Sequence, residues 1–197
     1  SLYRAGQIGE VEALSAHAVH AEYLAWRLQR FEDAKRIVAP IVATIGRSRG
    51  TLTLGQQRAI VCHVSYDDAF GNERPGVPRN HGSRKKWGDH VALLESLSHR
   101  YPTRAKSQHH RLQAQNWEKV GNVDAAESHY RRHVASASNE RVAQGRSWSY
   151  VEFLCRRGRF RDALPLLTPP SSVPHDAPPL FVVKNRCNHA EVSAGLG

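Results

Sequence analysis

The chain has 197 residues, of which 40% are hydrophobic and 23% are charged. This balance is typical of a globular protein and excludes a chain that is disordered throughout, because such chains contain fewer apolar residues. The 28 lysine and arginine residues outnumber the 18 aspartate and glutamate residues, which gives a net charge of +10, and the excess is largest between residues 71 and 133. The charge predicts a basic face for an acidic partner, RNA or another polyanion.

The cysteines and the apolar runs indicate a compartment. Cys62, Cys155 and Cys187 are odd in number and form no CxxC pair. This pattern argues against a disulfide framework and a cysteine zinc site, and it favours a reducing, intracellular compartment. No run approaches the roughly 18 apolar residues of a membrane span. We therefore expect a cytoplasmic protein, or alternatively one of an organellar matrix, that has no membrane partner.

Apolar residues recur at steps of three and four along most of the chain, which predicts amphipathic helices. One stripe runs from Leu14 to Leu28 and a second from Phe31 to Ile45, so we expect an antiparallel helix pair. Pro40 should kink or split the second helix because it lacks an N–H. Residues 54–70 also favour a helix, although part of this stretch would suit a buried strand.

The segment 71–87 (GNERPGVPRNHGSRKKW) contains three glycines and two prolines and predicts a long, flexible, basic loop. After it the helical spacing returns. The Pro-rich stretch 168–179 predicts an extended linker, and the tail that follows to residue 197 should either dock its LFVV segment or fray. The helices predicted between loop and linker cover residues 91–101, 104–119, 123–137, 141–157 and 160–167.

Three places share one local pattern, in which an apolar or aromatic residue comes three positions before an alanine. They are QRFEDAKRIV (29–38), GNVDAAESHY (121–130) and GRFRDALPLL (158–167). A small residue early in the second helix of a pair lets the two helices approach closely, and glycine at the turn adopts backbone angles that other residues avoid. Ala126 and Ala163 are 37 residues apart.

The chain therefore resembles the tetratricopeptide-repeat family, whose period is about 34 residues. Ala126 followed by Tyr130 matches the A-x₃-F step of the family; Ala34–Val38 and Ala163–Leu167 match it more loosely, and Pro102 resembles the proline that closes a repeat. The resemblance implies an all-α fold, an α-solenoid of about three to four antiparallel helix pairs over residues 1–167. Residues 71–87 would be a flexible insertion in it, and residues 168–197 a Pro-rich linker and tail.

The last unit (150–167) also resembles a pentatricopeptide repeat, through its LC, its GR, its acidic residue with alanine and its LL. Proteins of that family bind single-stranded RNA. A second, independent signal for a polyanion is the run Arg84, Lys85, Lys86 and Trp87, where three cations can contact phosphates while the indole stacks on a base.

Catalytic and metal-binding patterns are weak. His129 and His133 have a spacing that can hold a metal, but Arg131 and Arg132 lie between them and oppose a cation. No phosphate-binding glycine loop, nucleophile elbow or paired-carboxylate cluster occurs in the sequence. We therefore predict no metal site and no cofactor, and we expect that the protein is not an enzyme.

In tetratricopeptide proteins the first helix of each pair lines a groove that holds a peptide or a partner helix. By position, the resemblance implies partner-binding roles for Gln108, Arg111, Gln115, Trp148, Glu152, Tyr23 and Trp26. An arginine beside amides suits an acidic or C-terminal peptide.

The sequence thus predicts a non-catalytic helical-repeat scaffold that binds a protein or peptide partner. Two alternatives stay open, an RNA-binding repeat protein of a ribonucleoprotein and a regulatory or sensor domain of a larger protein. The oligomeric state is open as well.

Overall fold

Helices make up the regular structure of the chain. The computed structural model describes residues 10–28, 30–46, 49–65, 83–169, 173, 177 and 179–197. These residues contain nine α-helices, three short 3₁₀ segments and no strand, which confirms the prediction of an all-α protein. Within the same ranges, no helix is both long and apolar enough to cross a membrane.

The contacts within the chain define two compact units, Ser1–Ala105 (unit 1) and Lys106–Gly197 (unit 2). The predicted repeat domain, residues 1–167, therefore spans both. The helices of unit 1 are α1 (Glu10–Trp26), α2 (Phe31–Ile45), α3 (Leu54–Ser65) and α4 (Ser83–Leu97). Those of unit 2 are α5 (Lys106–Val120), α6 (Val123–Ala135), α7 (Glu140–Cys155), α8 (Phe160–Ala163) and α9 (Pro179–Leu196).

In unit 1, helices α1, α2 and α3 all pack against one another. The apolar stripe of α2 is buried, with Ala34, Val38 and Ile45 each fully inaccessible to solvent. Pro40 does not split α2, which continues as one helix to Ile45. The ring is exposed, so the proline lies on the outer side of the helix, away from the residues that pack in the core.

Arg100 joins the end of unit 1 to the end of α2. Its guanidinium donates a 2.7 Å hydrogen bond from Nη1 to the carbonyl oxygen of Ile45 and a 2.8 Å bond from Nε to that of Gly50. The last carbonyls of a helix lack intrahelical partners, and a cation there also complements the helix dipole. Arg100 therefore caps α2 from a segment that lies far away in the sequence.

The predicted loop 71–87 extends too far, because residues 83–87 form the first turn of α4. Trp87, Val91 and Leu94 are all buried and follow one another at steps of four and three, so the apolar stripe of α4 begins a turn earlier than the sequence analysis placed it. Residues 71–82 and the last part of the predicted helix 54–70 lie outside the described residues.

The predicted tail contains an 18-residue helix, α9, that packs against α7 and α8. The tail therefore docks, one of the two outcomes that the sequence left open, but its helix was not predicted because the buried side of α9 carries Asn185 and Asn188 together with Val192, which gives no apolar stripe. The predicted helix 160–167 is also shorter. It ends at Ala163 and continues as a 3₁₀ segment, Leu164–Leu166, because Pro165 has no N–H to extend it.

Gly55 provides a test of the packing of α1 against α3. A Cβ atom at Gly55 would lie 2.9 Å from both the backbone nitrogen and the Cα of Ser15, which the two helices can relieve only by moving apart. We expect Gly55→Ala to lower the free energy of unfolding by about 1–3 kcal/mol, measured by urea denaturation.

Gly88 is the matched control, since it lies inside α4 and a Cβ there would meet nothing within 4 Å. Gly88→Ala should raise stability by roughly 0.5–1 kcal/mol, because alanine is the better helix former. A Gly55→Ala variant as stable as wild type would show that α1 and α3 do not approach so closely.

Candidate partner-binding surface

Two glycine turns in unit 2 have the same structure. Gly121 and Gly158 follow α5 and α7 with φ angles of 92° and 69°, in the left-handed region that favours glycine. In both turns the residue after the glycine donates its N–H over 3.0 Å to the carbonyl oxygen five residues earlier. The same backbone hydrogen bond therefore occurs twice, 37 residues apart, which is the spacing of Ala126 and Ala163 in the sequence.

A buried alanine follows each glycine by five residues. Ala126 and Ala163 are both fully buried, and the residues four positions later, Tyr130 and Leu167, are buried as well. The early small residue of α6 and that of α8 are therefore both part of the buried core of unit 2.

The starts of α2 and α8 also share a local arrangement, although they belong to different units. In each case an arginine precedes the helix and donates a 2.7 Å hydrogen bond from Nε to Oδ2 of an aspartate three residues later, which pairs Arg30 with Asp33 and Arg159 with Asp162. An acidic side chain in the first turn complements the helix dipole, and the arginine holds that side chain in place.

Three aromatic rings form the centre of unit 2. Tyr130 of α6 packs against Phe153 and Tyr150 of α7, with ring centroids 5.0 and 6.0 Å apart. Tyr130 and Phe153 are at most 1% exposed. Such pairs contribute about 0.5–1.5 kcal/mol beyond the burial of their area, so they fix α6 against α7.

Glu127 on α6 connects three helices. Its carboxylate accepts hydrogen bonds from Arg159 Nη1 at 2.6 Å, from Tyr150 Oη at 2.7 Å and from Arg131 Nη2 at 2.7 Å. The bonds from Arg159 have the largest effect and, against the opposing effect of burial, lower the pKa of Glu127 to about 2. The carboxylate is therefore charged at any physiological pH.

Glu118 on α5 has a similar role. Arg156 donates to both of its oxygens, at 3.0 and 2.9 Å, and the Tyr130 hydroxyl lies 3.1 Å from Oε2. Burial and the adjacent Glu118 raise the pKa of Tyr130. Together the two glutamates tie α5, α6, α7 and the start of α8 into one body.

The predicted partner-binding residues of α7 are in contact with a helix, and that helix is α9. The Trp148 ring lies 5.1 Å from that of Phe181, and the Glu152 carboxylate forms an ion pair with Lys184. These two contacts lie one helical turn apart on both helices. Trp148 and Glu152 thus lie on the surface of α7 and α8 that the C-terminal segment of the same chain covers, and we call this surface the groove.

Two polar side chains of α9 also contact Thr168, which follows α8 and its 3₁₀ segment. Asn185 Nδ2 donates a 2.9 Å hydrogen bond to the carbonyl oxygen of Thr168, and His189 Nε2 lies 2.7 Å from the same oxygen. Further along α9, Val192 is buried in the core, and Gly195 approaches the Phe160 ring so closely that no Cβ would fit.

The other predicted partner-binding residues are not joined to this groove by contacts of the described residues. Gln108, Arg111 and Gln115 are half-buried on α5, and Arg111 Nε is buried without a hydrogen-bond partner in the described part. Tyr23 is 54% exposed on α1 in unit 1. The side chain of Trp26, at the end of α1, lies outside the described residues.

The predicted polyanion site, residues 84–87, is the start of a helix and not a flexible loop. The run from Arg84 to Trp87 belongs to the first turn of α4, and Trp87 is only 6% exposed with its ring 5.5 Å from that of His90. A buried indole cannot stack on a base, which corrects the predicted role of Trp87. Lys85 and Lys86 are exposed, and the side chain of Arg84 lies outside the described residues.

Histidines of α5 and α6 form contacts that the sequence analysis missed. His133 Nδ1 lies 2.8 Å from Ser107 Oγ, and His129 Nδ1 lies 3.3 Å from His110 Nδ1. Burial is the main cause that lowers the pKa of His109, His129 and His133 to about 4. No group of three or more His, Cys, Asp or Glu in the described ranges is placed to hold a metal.

A signal for these contacts exists in the sequence. Ser107 and His133 are each 13 residues from Val120, and His110 and His129 are 10 and 9 residues from it. Where a chain folds back at a turn, residues at equal distances from the turn meet. Applied to the Gly121 turn, this rule would have placed His110 opposite His129.

The chain shows no significant similarity to any protein-family model, curated protein or solved structure. The resemblance to tetratricopeptide repeats therefore stays a prediction. What the chain binds has to be inferred from its own surfaces.

Ala126 tests the repeat register. Ala126 is fully buried on α6. The substitution Ala126→Leu should therefore overpack the core and lower the free energy of unfolding by roughly 1–3 kcal/mol. The same substitution at the exposed Ala135 of α6 is the control and should leave the urea midpoint near that of wild type. An unchanged midpoint for Ala126→Leu would mean that this alanine faces solvent.

Because the pKa values of His109, His129 and His133 are lowered, we expect acid to destabilise the fold already at pH values above those at which carboxylates titrate. Their pKa of about 4 in the folded protein lies below the ordinary 6.5, so the unfolded chain binds more protons between these values. Stability should therefore fall as the pH decreases from 7.5 to 5, by up to about 1.4 kcal/mol per pH unit for each histidine.

Urea denaturation at several pH values measures this slope. His129→Gln should reduce it by the contribution of one proton, whereas His17→Gln, at an exposed position of α1, should leave it as in wild type. Equal slopes for all three proteins would contradict the lowered pKa of His129.

Proposed function

We propose that the chain is a non-catalytic helical-repeat scaffold and that unit 2 binds a helix of a protein partner in the groove where α9 lies. One observation carries the proposal. Trp148 and Glu152, the residues of α7 that the tetratricopeptide resemblance implies for partner binding, contact a helix through an aromatic ring and an ion pair.

The connections between helices support the repeat architecture. Helices α1 and α2, α5 and α6, and α7 and α8 are consecutive, pack against each other and are joined by turns of two to four residues. Helices in contact across such short turns run antiparallel. Together with the turns repeated at Gly121 and Gly158, this pairing supports the predicted α-solenoid of about three to four helix pairs.

The groove sets chemical requirements for its occupant. Glu152 requires a cation, the Trp148 ring favours an aromatic residue, and the carbonyl oxygen of Thr168 accepts hydrogen bonds. Helix α9 meets them with Phe181, then Lys184. We therefore propose a partner helix in which an aromatic residue is followed three positions later by lysine or arginine, one turn along the same face.

The contacts of α9 support its replacement by such a helix. Asn185 Oδ1 and Asn188 Nδ2 are buried against unit 2 without a hydrogen-bond partner in the described part. A buried polar group without a partner costs about 1–3 kcal/mol. A partner helix that keeps a donor at the position of Asn185, whose Nδ2 bonds the Thr168 carbonyl, and has an apolar side chain at the position of Asn188 would avoid the cost at Asn188 and bind the groove more tightly than α9 does.

The RNA-binding alternative has less support. Its basis in the sequence was the pentatricopeptide resemblance of residues 150–167, the net charge and the run from Arg84 to Trp87, and the burial of Trp87 removes the ring on which a base would stack. The basic charge by itself supports binding of any polyanion.

The groove can be tested with a peptide added in trans. Val192 is fully buried in the core, so Val192→Asp should release α9, because a carboxylate is costly to bury. A fluorescent peptide of residues 179–197 should then bind the Val192→Asp chain at least about tenfold more tightly than wild type, in which the tethered α9 competes at high effective concentration. Fluorescence anisotropy measures the affinity, and circular dichroism checks that the variant stays helical.

Charge reversal makes the test specific. Glu152→Lys in the Val192→Asp chain should weaken binding of the peptide. The peptide variant Lys184→Glu should restore the affinity for this double variant. Val183→Asp is the control, since Val183 is 57% exposed on the same helix and should behave like wild type. If the folded Val192→Asp chain binds the peptide no better than the control does, the groove is not a receptor for a helix.

A further inference from the structure

Four side chains of α5 and α6 form a cluster that we call the basic face: Lys106, His110, His129 and Arg132. Lys106 precedes His110 by four residues, and Arg132 follows His129 by three, so each pair shares one side of its helix. Where the helices meet, the two Nδ1 atoms lie 3.3 Å apart and the ring centroids 5.4 Å apart. Two half-buried imidazoles thus lie side by side, with an exposed cation about one turn away on each of the two helices.

Within the described part of the chain, no carboxylate pairs with the two cations of the basic face. Neither Lys106 nor Arg132 forms an ion pair with a described residue, whereas Arg131, the neighbour of Arg132, is bound to Glu127. The other charged or titratable groups that act on the two imidazoles or on their neighbour His133 are basic too. They come from α5, α6 and α7 and are His109, Arg111, His133 and Arg146.

This composition favours an anion over a metal ion. A transition metal needs further ligands, and among the described residues no group of three or more His, Cys, Asp or Glu is placed to bind one. The flanking ammonium and guanidinium groups also repel a cation. Burial and the nearby Arg132 lower the pKa of both His110 and His129, so both imidazoles are mostly neutral at pH 7 and an anion would promote their protonation.

We propose that the basic face binds a phosphate monoester carried by a side chain of a protein partner, with Lys106 and Arg132 contacting its oxygens and the two imidazoles donating hydrogen bonds. A phosphorylated side chain carries about −1.5 to −2 charges and three strong acceptor oxygens, which suits one compact cluster with several donors. Single-stranded RNA is held along an extended groove with stacking aromatics. The proposal rests on the proposed function, in which the chain binds a protein.

The first test compares two double variants of the full chain. Lys106→Gln/Arg132→Gln removes the two cations, and Arg161→Gln/Arg186→Gln removes two exposed arginines elsewhere in unit 2. The probe is a pentapeptide of one phosphoserine between glycines, titrated while the histidine ring resonances are followed by nuclear magnetic resonance. We expect wild type and the control to bind equally, and the first variant to bind about tenfold more weakly for each cation lost.

The second test uses pH. Sulfate keeps both charges over the neutral range, so any change in its affinity comes from the protein. We expect wild type to bind sulfate more tightly at pH 6 than at pH 8, because binding is coupled to proton uptake by the imidazole pair of His110 and His129, which share one hydrogen bond between their Nδ1 atoms. The variant His110→Gln/His129→Gln should lose this pH dependence.

Several results would overturn the proposal. These are equal affinity of the two double variants for the phosphopeptide, equal binding of the unphosphorylated peptide, and binding of inorganic phosphate as tight as that of the phosphopeptide. If oligouridine binds and is weakened by Lys106→Gln/Arg132→Gln while the phosphopeptide does not bind, the face is an RNA site. The trans peptide of residues 179–197 should be unaffected by this variant, so failure of the basic face and failure of the groove are distinguishable.

Discussion

The carboxylate of Glu127 holds unit 2 together at the point where α6, α7 and the start of α8 meet. It is only 13% exposed and accepts hydrogen bonds from Arg131, Tyr150 and Arg159. Removing one partner from such a group leaves a poorly solvated charge, which costs far more than the pair contributes in isolation. The position of α7 and of the start of α8 relative to α6 therefore depends on this side chain together with the packed rings of Tyr130, Tyr150 and Phe153.

Helix α9 is held by different forces. Its contacts with the rest of unit 2 combine the buried side chain of Val192 with an aromatic pair, one ion pair and two hydrogen bonds to the carbonyl oxygen of Thr168, while two buried amide atoms have no partner in the described part. Segments with few apolar contacts open at lower free energy than the core does. The hydrogen bonds described for Glu118 and Glu127 involve no residue of α9, so the proposed exchange of α9 for a partner helix would break none of them.

The sequence predicted those parts of the fold that depend on apolar periodicity. The stripe of α2, with Ala34 and Val38, and the buried small residue Ala126 were read from spacing alone, because a helix that buries one side must repeat apolar residues every three to four positions. Helix α9 was missed because Asn185 and Asn188 occupy its buried side. The contact between His110 and His129 was missed for another reason: it depends on how two helices pair, which no single helix encodes.

The charge of the chain becomes informative only when the ion pairs are known. In unit 2, Glu118, Glu127 and Glu152 are each bound to arginine or lysine, so these acidic residues neutralise specific cations where the helices meet and in the groove. The cations of unit 2 that pair with no described carboxylate include Lys106 and Arg132. A count over the sequence predicts an acidic partner but not its place, and the ion pairs of unit 2 are the reason why we propose the side of α5 and α6 rather than the start of α4.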